Sequence, residues 1–456
     1  MCGSVAAMTR HVSVLVALGM LTACTASGGT NPRPSGSPAV ATLDPGPACV
    51  TVEGGQSCLP LAPPGQRVDL VRPAFTNPTA VTNPLFPVGK VTQLVQLGVV
   101  EGSRFRAEVT LLPSTKTITW NGQSVTTIES QYVAFLDGRI HEVAIDWYAQ
   151  ADDGAVWYFG EDVFNYDEGF LADTDGTWIA GKDGPAGMIM PAHPKAGDVF
   201  RPENAPGIVF EEVTVKSVDQ TVQGPRGPVS GAIVGGELHM DGTREDKAFA
   251  PGYGEFTTGD PGGDLETAAF AVPFDALGTP TPAQLTAAWT AAGTAFAAAG
   301  DENWSGASAA SRAVRSAWAG YRAGGVPPLL DKEMSRSVDA LAAAVEARDP
   351  DEARQAALDV SFAILDLRLR HEQLAAVERA RLGVWARQLV LDVDAGEAGD
   401  VNGTVETFGR VWDRVRPAID ATAAGRVDSQ LQALRAAKGR VATGPAVALL
   451  STVESL

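Results

Sequence analysis

Residues 146–178 read DWYAQADDGAVWYFGEDVFNYDEGFLADTDGTW. Aromatics alternate with carboxylates, and two Asp-Gly pairs, Asp153-Gly154 and Asp175-Gly176, punctuate the run. Asp-Gly is hairpin chemistry, because these residues reach positive φ at small cost. The stretch therefore predicts the centre of an antiparallel β domain. The same texture continues on both sides. VTQLVQLGVV (91–100), RFRAEVTLL (104–112), TKTITW (115–120) and SVTTIESQYVAFL (124–136) are short β-rich runs, with Asn121-Gly122 as a turn between the last two. Asp137-Gly138 leads into RIHEVAIDWYAQ (139–150), where Ile140, Glu142, Ala144 and Asp146 alternate with His141, Val143, Ile145 and Trp147. IVFEEVTVKSV (208–218), PVSGAIVGGELHM (228–240) and KAFAPGYGEF (247–256) follow. Strands so closely spaced predict one curved, half-barrel-like antiparallel sheet over residues 70–256.

Within that domain Asp146, Trp147, Trp157, Tyr158, Phe159, Glu161, Asp162 and Trp178 form the candidate pocket, an aromatic body with a polar rim. Asp173 and Asp175 are weak metal candidates. DTDG at 173–176 has the carboxylate spacing that opens a calcium loop, but the downstream bidentate Glu is missing and hairpin chemistry accounts for the same residues. His141, His193 and His239 have no metal-site spacing.

A Gly/Pro/Asp-rich passage at 257–280 reads as a linker, and the hydrophobic period then changes. Leu285, Trp289, Ala292 and Phe296 share one stripe, as do Met334, Val338, Leu341 and Val345, and later Val401, Val405, Phe408, Trp412, Val415 and Ile419. Thr281-Pro282 and Asp349-Pro350 read as helix starts. Residues 281–450 are expected to form an antiparallel bundle of five to seven helices, which makes the whole chain a multidomain α+β protein.

The N-terminus reads as a targeting segment. Arg10 and His11 precede an apolar run from Val12 to Met20, too short for a permanent span, which closes on Leu21-Thr22-Ala23-Cys24. This resembles the bacterial lipobox. It implies a signal peptide over 1–23, lipidation of Cys24 by acyl chains such as palmitate, and anchoring to the outer face of the cytoplasmic membrane. Met8 is an alternative start that would remove Cys2. Residues 24–69 comprise the lipidated cysteine, a Gly/Ser/Pro-rich tether, and a loop in which Cys49 and Cys58 are expected to pair in an oxidising compartment.

NPLFP (83–87), DWYAQ (146–150), VWYFGED (156–162), the run from Trp178 to Asp198 containing MPAHP, and APGYG (250–254) together resemble a family of exported bacterial proteins with no assigned activity. The resemblance covers roughly residues 80–256. It implies an extracytoplasmic β domain and, by analogy with half-barrel lipid carriers, a ligand-holding sheet.

Several classes are disfavoured. A net charge of −19 opposes a nucleic-acid partner. No Gly-x-Ser-x-Gly elbow, His-Glu-x-x-His motif, Glu-x-x-His pair or phosphate-cradling loop occurs. His371 is the sole histidine of the helical part. No cofactor is expected. The chain reads as a lipid-anchored cell-envelope binding or interaction protein rather than an enzyme, with an apolar or amphiphilic ligand or an envelope protein as partner. A carboxylate-based hydrolase and a metal-binding lipoprotein are the alternatives.

Overall fold

The computed structural model describes residues 42–260 and 263–456. The expected signal peptide, Cys24 and most of the tether lie outside them. Thr42–Leu456 form one compact unit. Near its start, Cys49–Thr51 pairs with Cys58–Pro60 in a small hairpin closed by the Cys49–Cys58 disulfide, with Cα atoms 5.6 Å apart.

Twelve strands carry the main sheet: β1 (Gln93–Val100), β2 (Ser103–Trp120), β3 (Gln123–Leu136), β4 (Arg139–Gln150), β5 (Val156–Asp167), β6 (Gly187–Met190), β7 (Val199–Phe200), β8 (Val209–Gly224), β9 (Gly227–His239), β10 (Arg244–Ala250), β11 (Gly254–Gly259) and β12 (Leu265–Val272). Each pairs antiparallel with its neighbour in sequence, except across the β6–β7 break, and β12 pairs with β1. The spatial order is therefore β6-β5-β4-β3-β2-β1-β12-β11-β10-β9-β8-β7. Three short strands, Phe170–Asp173, Trp178–Ile179 and Asn204–Ala205, pair along β5 and β8. The sheet is wrapped but not closed. Its ends meet at one backbone hydrogen bond, from Met188 N to Arg201 O at 2.8 Å, with no ladder between β6 and β7. A Cβ on Gly187 would stand 1.8 Å from Pro202 O, so glycine is what lets this seam come together.

The passage expected to be a linker contributes β12 and half of β11, in the middle of the sheet path. Its turn residues masked LETAAFAV, a strand whose Ala and Phe side chains give a weak alternation.

Eight helices follow: α1 (Ala283–Gly300), α2 (Trp304–Arg322), α3 (Pro328–Ala347), α4 (Pro350–Arg368), α5 (Leu374–Ala395), α6 (Ala398–Val415), α7 (Ala421–Ala437) and α8 (Thr443–Glu454). The count exceeds the expected five to seven because α7 and α8 bury only thin stripes, such as Leu431 and Leu434 or Ala446 and Leu449. Asp349 caps α4 as expected, accepting from the backbone N–H groups of Asp351 and Glu352. Thr281 makes no cap; its hydroxyl donates to Glu372 instead.

The outer face of β2–β4 lies on the helices. Val133, Phe135, Ile140 and Val143 share one core with Leu382, Trp385, Val405 and Phe408. A buried ionic lattice crosses the same boundary. Arg106 forks onto Asp366 at 2.6 and 2.8 Å, while Glu108 meets Arg414 at 2.5 Å and Arg381 at 3.3 Å. Glu378 bonds both Arg381 and Arg414. Burial works to raise the Glu108 carboxyl, but Arg381, Arg106 and Arg414 together hold it well below the usual range. Three arginines balance three carboxylates, so the lattice is neutral, and breaking any member would strand a buried charge.

Candidate functional site

The inner face of the wrapped sheet encloses a cavity of about 550 Å³. β4 sends Glu142, Ala144, Asp146 and Tyr148 into it, as strict strand alternation requires. On β5 the alternation breaks. Tyr158 and Glu161 both line the cavity although three residues apart. The cause is a bulge at Gly160, where φ is 121° and a Cβ would meet Trp178 O at 2.3 Å. Asp146 thereby stands across from Glu161 in the ladder and accepts a 2.8 Å hydrogen bond from the Tyr158 hydroxyl.

The candidate residues thus divide. Asp146, Tyr158 and Glu161 line the cavity. Trp147, Trp157 and Phe159 are buried in the core behind it. Trp147 lies beneath the Lys116 ammonium, 3.2 Å from the ring centroid, and Trp157 packs on Trp120. Trp178 is fully buried and meets Tyr158 edge-on at 5.5 Å. Asp162 pairs with Ile145 and does not line the cavity. Asp173 accepts from the Asp175 backbone and from Asn165, as turn chemistry demands, while Asp175 lies at the cavity margin. These two aspartates do not converge with a third ligand among the described residues.

Sequence reading missed most of the lining. Glu203, Glu211, Glu245, Glu255 and Glu266 join Glu142, Asp146, Glu161 and Asp175, making nine carboxylates against one lysine, Lys247. Glu237 lies beside them, with its Oε2 2.7 Å from Lys247 Nζ. The signal was present in FEEV, where Glu211 faces inward while Glu212 faces outward onto Arg201 at 3.0 Å. The lining also has apolar members, Phe86, Val91, Leu94, Val109, Leu111 and Ile189.

Crowding of like charges in a poorly solvated space sets the protonation states. Burial lifts the Glu161 carboxyl to about 7, against hydrogen bonding from Glu203 and Tyr158. Burial and then Glu211 push Glu237 to about 8; burial and then Glu255 do the same for Glu266. Asp146 rises through burial and the neighbouring Glu161, and Glu203 through burial, Glu211 and Glu161. Glu211 goes the other way. Burial opposes its ionisation, yet Lys247 and His239 bring it down to about 2. Glu211, Glu237 and His239 also offer ligand atoms within 4.8 Å of one another. Lys247 already supplies a cation there, so the group is an internally balanced cluster rather than an open donor set. Such a cavity can hold positive charge or store protons, and its apolar side chains can take hydrocarbon.

No family model, curated protein or solved structure matches the chain.

Proposed function

We propose that this chain is an exported, lipid-anchored cell-envelope binding protein whose wrapped sheet holds an amphiphilic small molecule. The observation that carries the reading is the mixed lining of the cavity. Its volume suits a small ligand, and its lining combines apolar side chains with carboxylates. A wholly apolar ligand fits less well, since it would strip water from the carboxyl groups without replacing their partners. Leu21-Thr22-Ala23-Cys24 supports the anchor, and the net charge of −19 remains at odds with nucleic acid.

A carboxylate-based hydrolase is the second reading, favoured by one observation. Asp146 and Glu161 are ladder partners, and Glu161 near 7 has the poise of a general acid. Native mass spectrometry of residues 25–456, secreted without the anchor, tests the binding reading. The expected spectrum contains a noncovalent small-molecule adduct that Ala144→Trp, which fills the cavity, removes. A bare mass, together with no binding of the cationic amphiphile dodecyltrimethylammonium, would overturn it.

A further inference from the structure

Six of the nine inner carboxylates fall into two groups along the sheet path. Asp146 and Glu161 stand on β4 and β5 with Glu203 close by, while Glu245, Glu255 and Glu266 stand on β10, β11 and β12. β1–β3 separate these stretches on one side and β6–β9 on the other. Among the described residues that line the cavity, Lys247 is the sole lysine or arginine, and its ammonium is committed to Glu237 at 2.7 Å. The β4–β5 group therefore lacks a resident counter-charge of its own, while Glu245, Glu255 and Glu266 share the single Lys247 ammonium with Glu237.

A second observation is independent of the acidic cluster. Ser130 Oγ is completely buried and has no hydrogen-bond partner. Ser130 lines the cavity from β3 and stands directly opposite Asp146 in the ladder. A buried hydroxyl without a partner is costly, and it marks a polar ligand position beside the carboxylate pair. Next to it, Tyr148 and Tyr158 stack at 4.7 Å, and Phe86 meets Tyr148 edge-on at 5.0 Å. Aromatic faces beside carboxylates suit alkylammonium groups, whose charge and methylenes both find contacts.

We infer that the ligand is an organic polyamine, a chain with two or more ammonium centres. One centre sits among Ser130, Asp146, Glu161 and Glu203, and another sits toward Glu255 and Glu266. The inference rests on the binding reading above and names its ligand class. A divalent metal needs donors converging on one point, whereas these carboxylates are spread over separate strands; the one convergent trio among the described residues already holds the Lys247 ammonium. Lys247 is itself an alkylammonium threaded among inner-face carboxylates, so the cavity accommodates that group sterically and electrostatically.

Isothermal titration calorimetry of residues 25–456 at pH 7.5 tests the assignment, with spermidine, spermine, zinc and palmitate as separate probes. Saturable one-to-one binding of spermidine or spermine is expected. Asp146→Asn with Glu161→Gln should weaken it about tenfold or more, and Ser130→Ala severalfold, because each removes a buried polar contact to the cation. Asp351→Asn, a surface acid, should leave it unchanged. Circular dichroism confirms that each variant is folded, and Ser130→Ala keeps the test open if the double variant is not. Three results would overturn the inference: no saturable polyamine binding by folded protein, polyamine binding indifferent to both cavity variants, or binding of zinc alone with loss in His239→Ala. Palmitate binding without polyamine binding would also overturn it, while leaving the binding reading in place.

Discussion

Raising the pH from 5.5 to 7.5 should destabilise the ligand-free protein, the reverse of ordinary acid denaturation. In the folded state Glu237 and Glu266 titrate at about 8 and Glu161 at about 7, whereas unfolded glutamates titrate near their ordinary value. Their folded values are raised, so the folded chain holds extra protons in this window. That contribution is complete below the unfolded value and disappears as pH climbs through 7 to 8. Glu211, brought down to about 2, is ionised in both states throughout and adds no slope. Lys247 stays charged. His239, raised by its Glu211 partner, acts in the same direction; His371, lowered by burial and Arg370, opposes it in the lower half of the window. Each extra proton gives about 1.4 kcal/mol per pH unit. Glu161, Glu237 and Glu266 alone supply two to three protons, about 3–4 kcal/mol per unit before water reaching the cavity reduces it to about 1–2, and the raised Asp146 and Glu203 act in the same direction. Urea denaturation at fixed ionic strength and pH 5.5, 6.5 and 7.5 reads the slope directly. Stability that is flat or rises over this range would refute the reasoning. Glu161→Gln with Glu266→Gln should flatten the slope, since both groups are then neutral at every pH.

Arg381→Met removes one cation from the lattice between sheet and helices and should cost about 3–5 kcal/mol in denaturant titration, because Glu108, Glu378 and Asp366 lose a shared partner. Gly187→Ala should disturb the seam and cost about 1–3 kcal/mol, with loss of ligand retention by native mass spectrometry. Cys24→Ala should abolish metabolic palmitate labelling and move the protein from the membrane to the soluble fraction.

The α+β division and the antiparallel character of the sheet were legible in the sequence because hairpin turns and period-two runs are local signals. Asp137-Gly138 and Asn121-Gly122 sit at turns with positive φ, as their chemistry suggests. The wrap was not legible. It depends on β12 joining β1, a pairing between residues some 170 apart, and on a strand of small residues that resembled a linker. The cavity was half legible. Asp146, Tyr158 and Glu161 came from one conspicuous stretch, but the Gly160 bulge decides which aromatics face inward, and no periodicity reveals a bulge. Glu203, Glu211, Glu255 and Glu266 were overlooked because they come from separate parts of the chain, and only the fold brings them to one space.

A crystal structure of residues 25–456 grown with spermine at pH 7.5 tests the central claim most directly. The expected density is an extended chain inside the wrapped sheet, with one amine within hydrogen-bonding distance of Asp146, Glu161 and Ser130 and another near Glu255 or Glu266. A cavity holding only water, with spermine absent or confined to the outer surface, would contradict it.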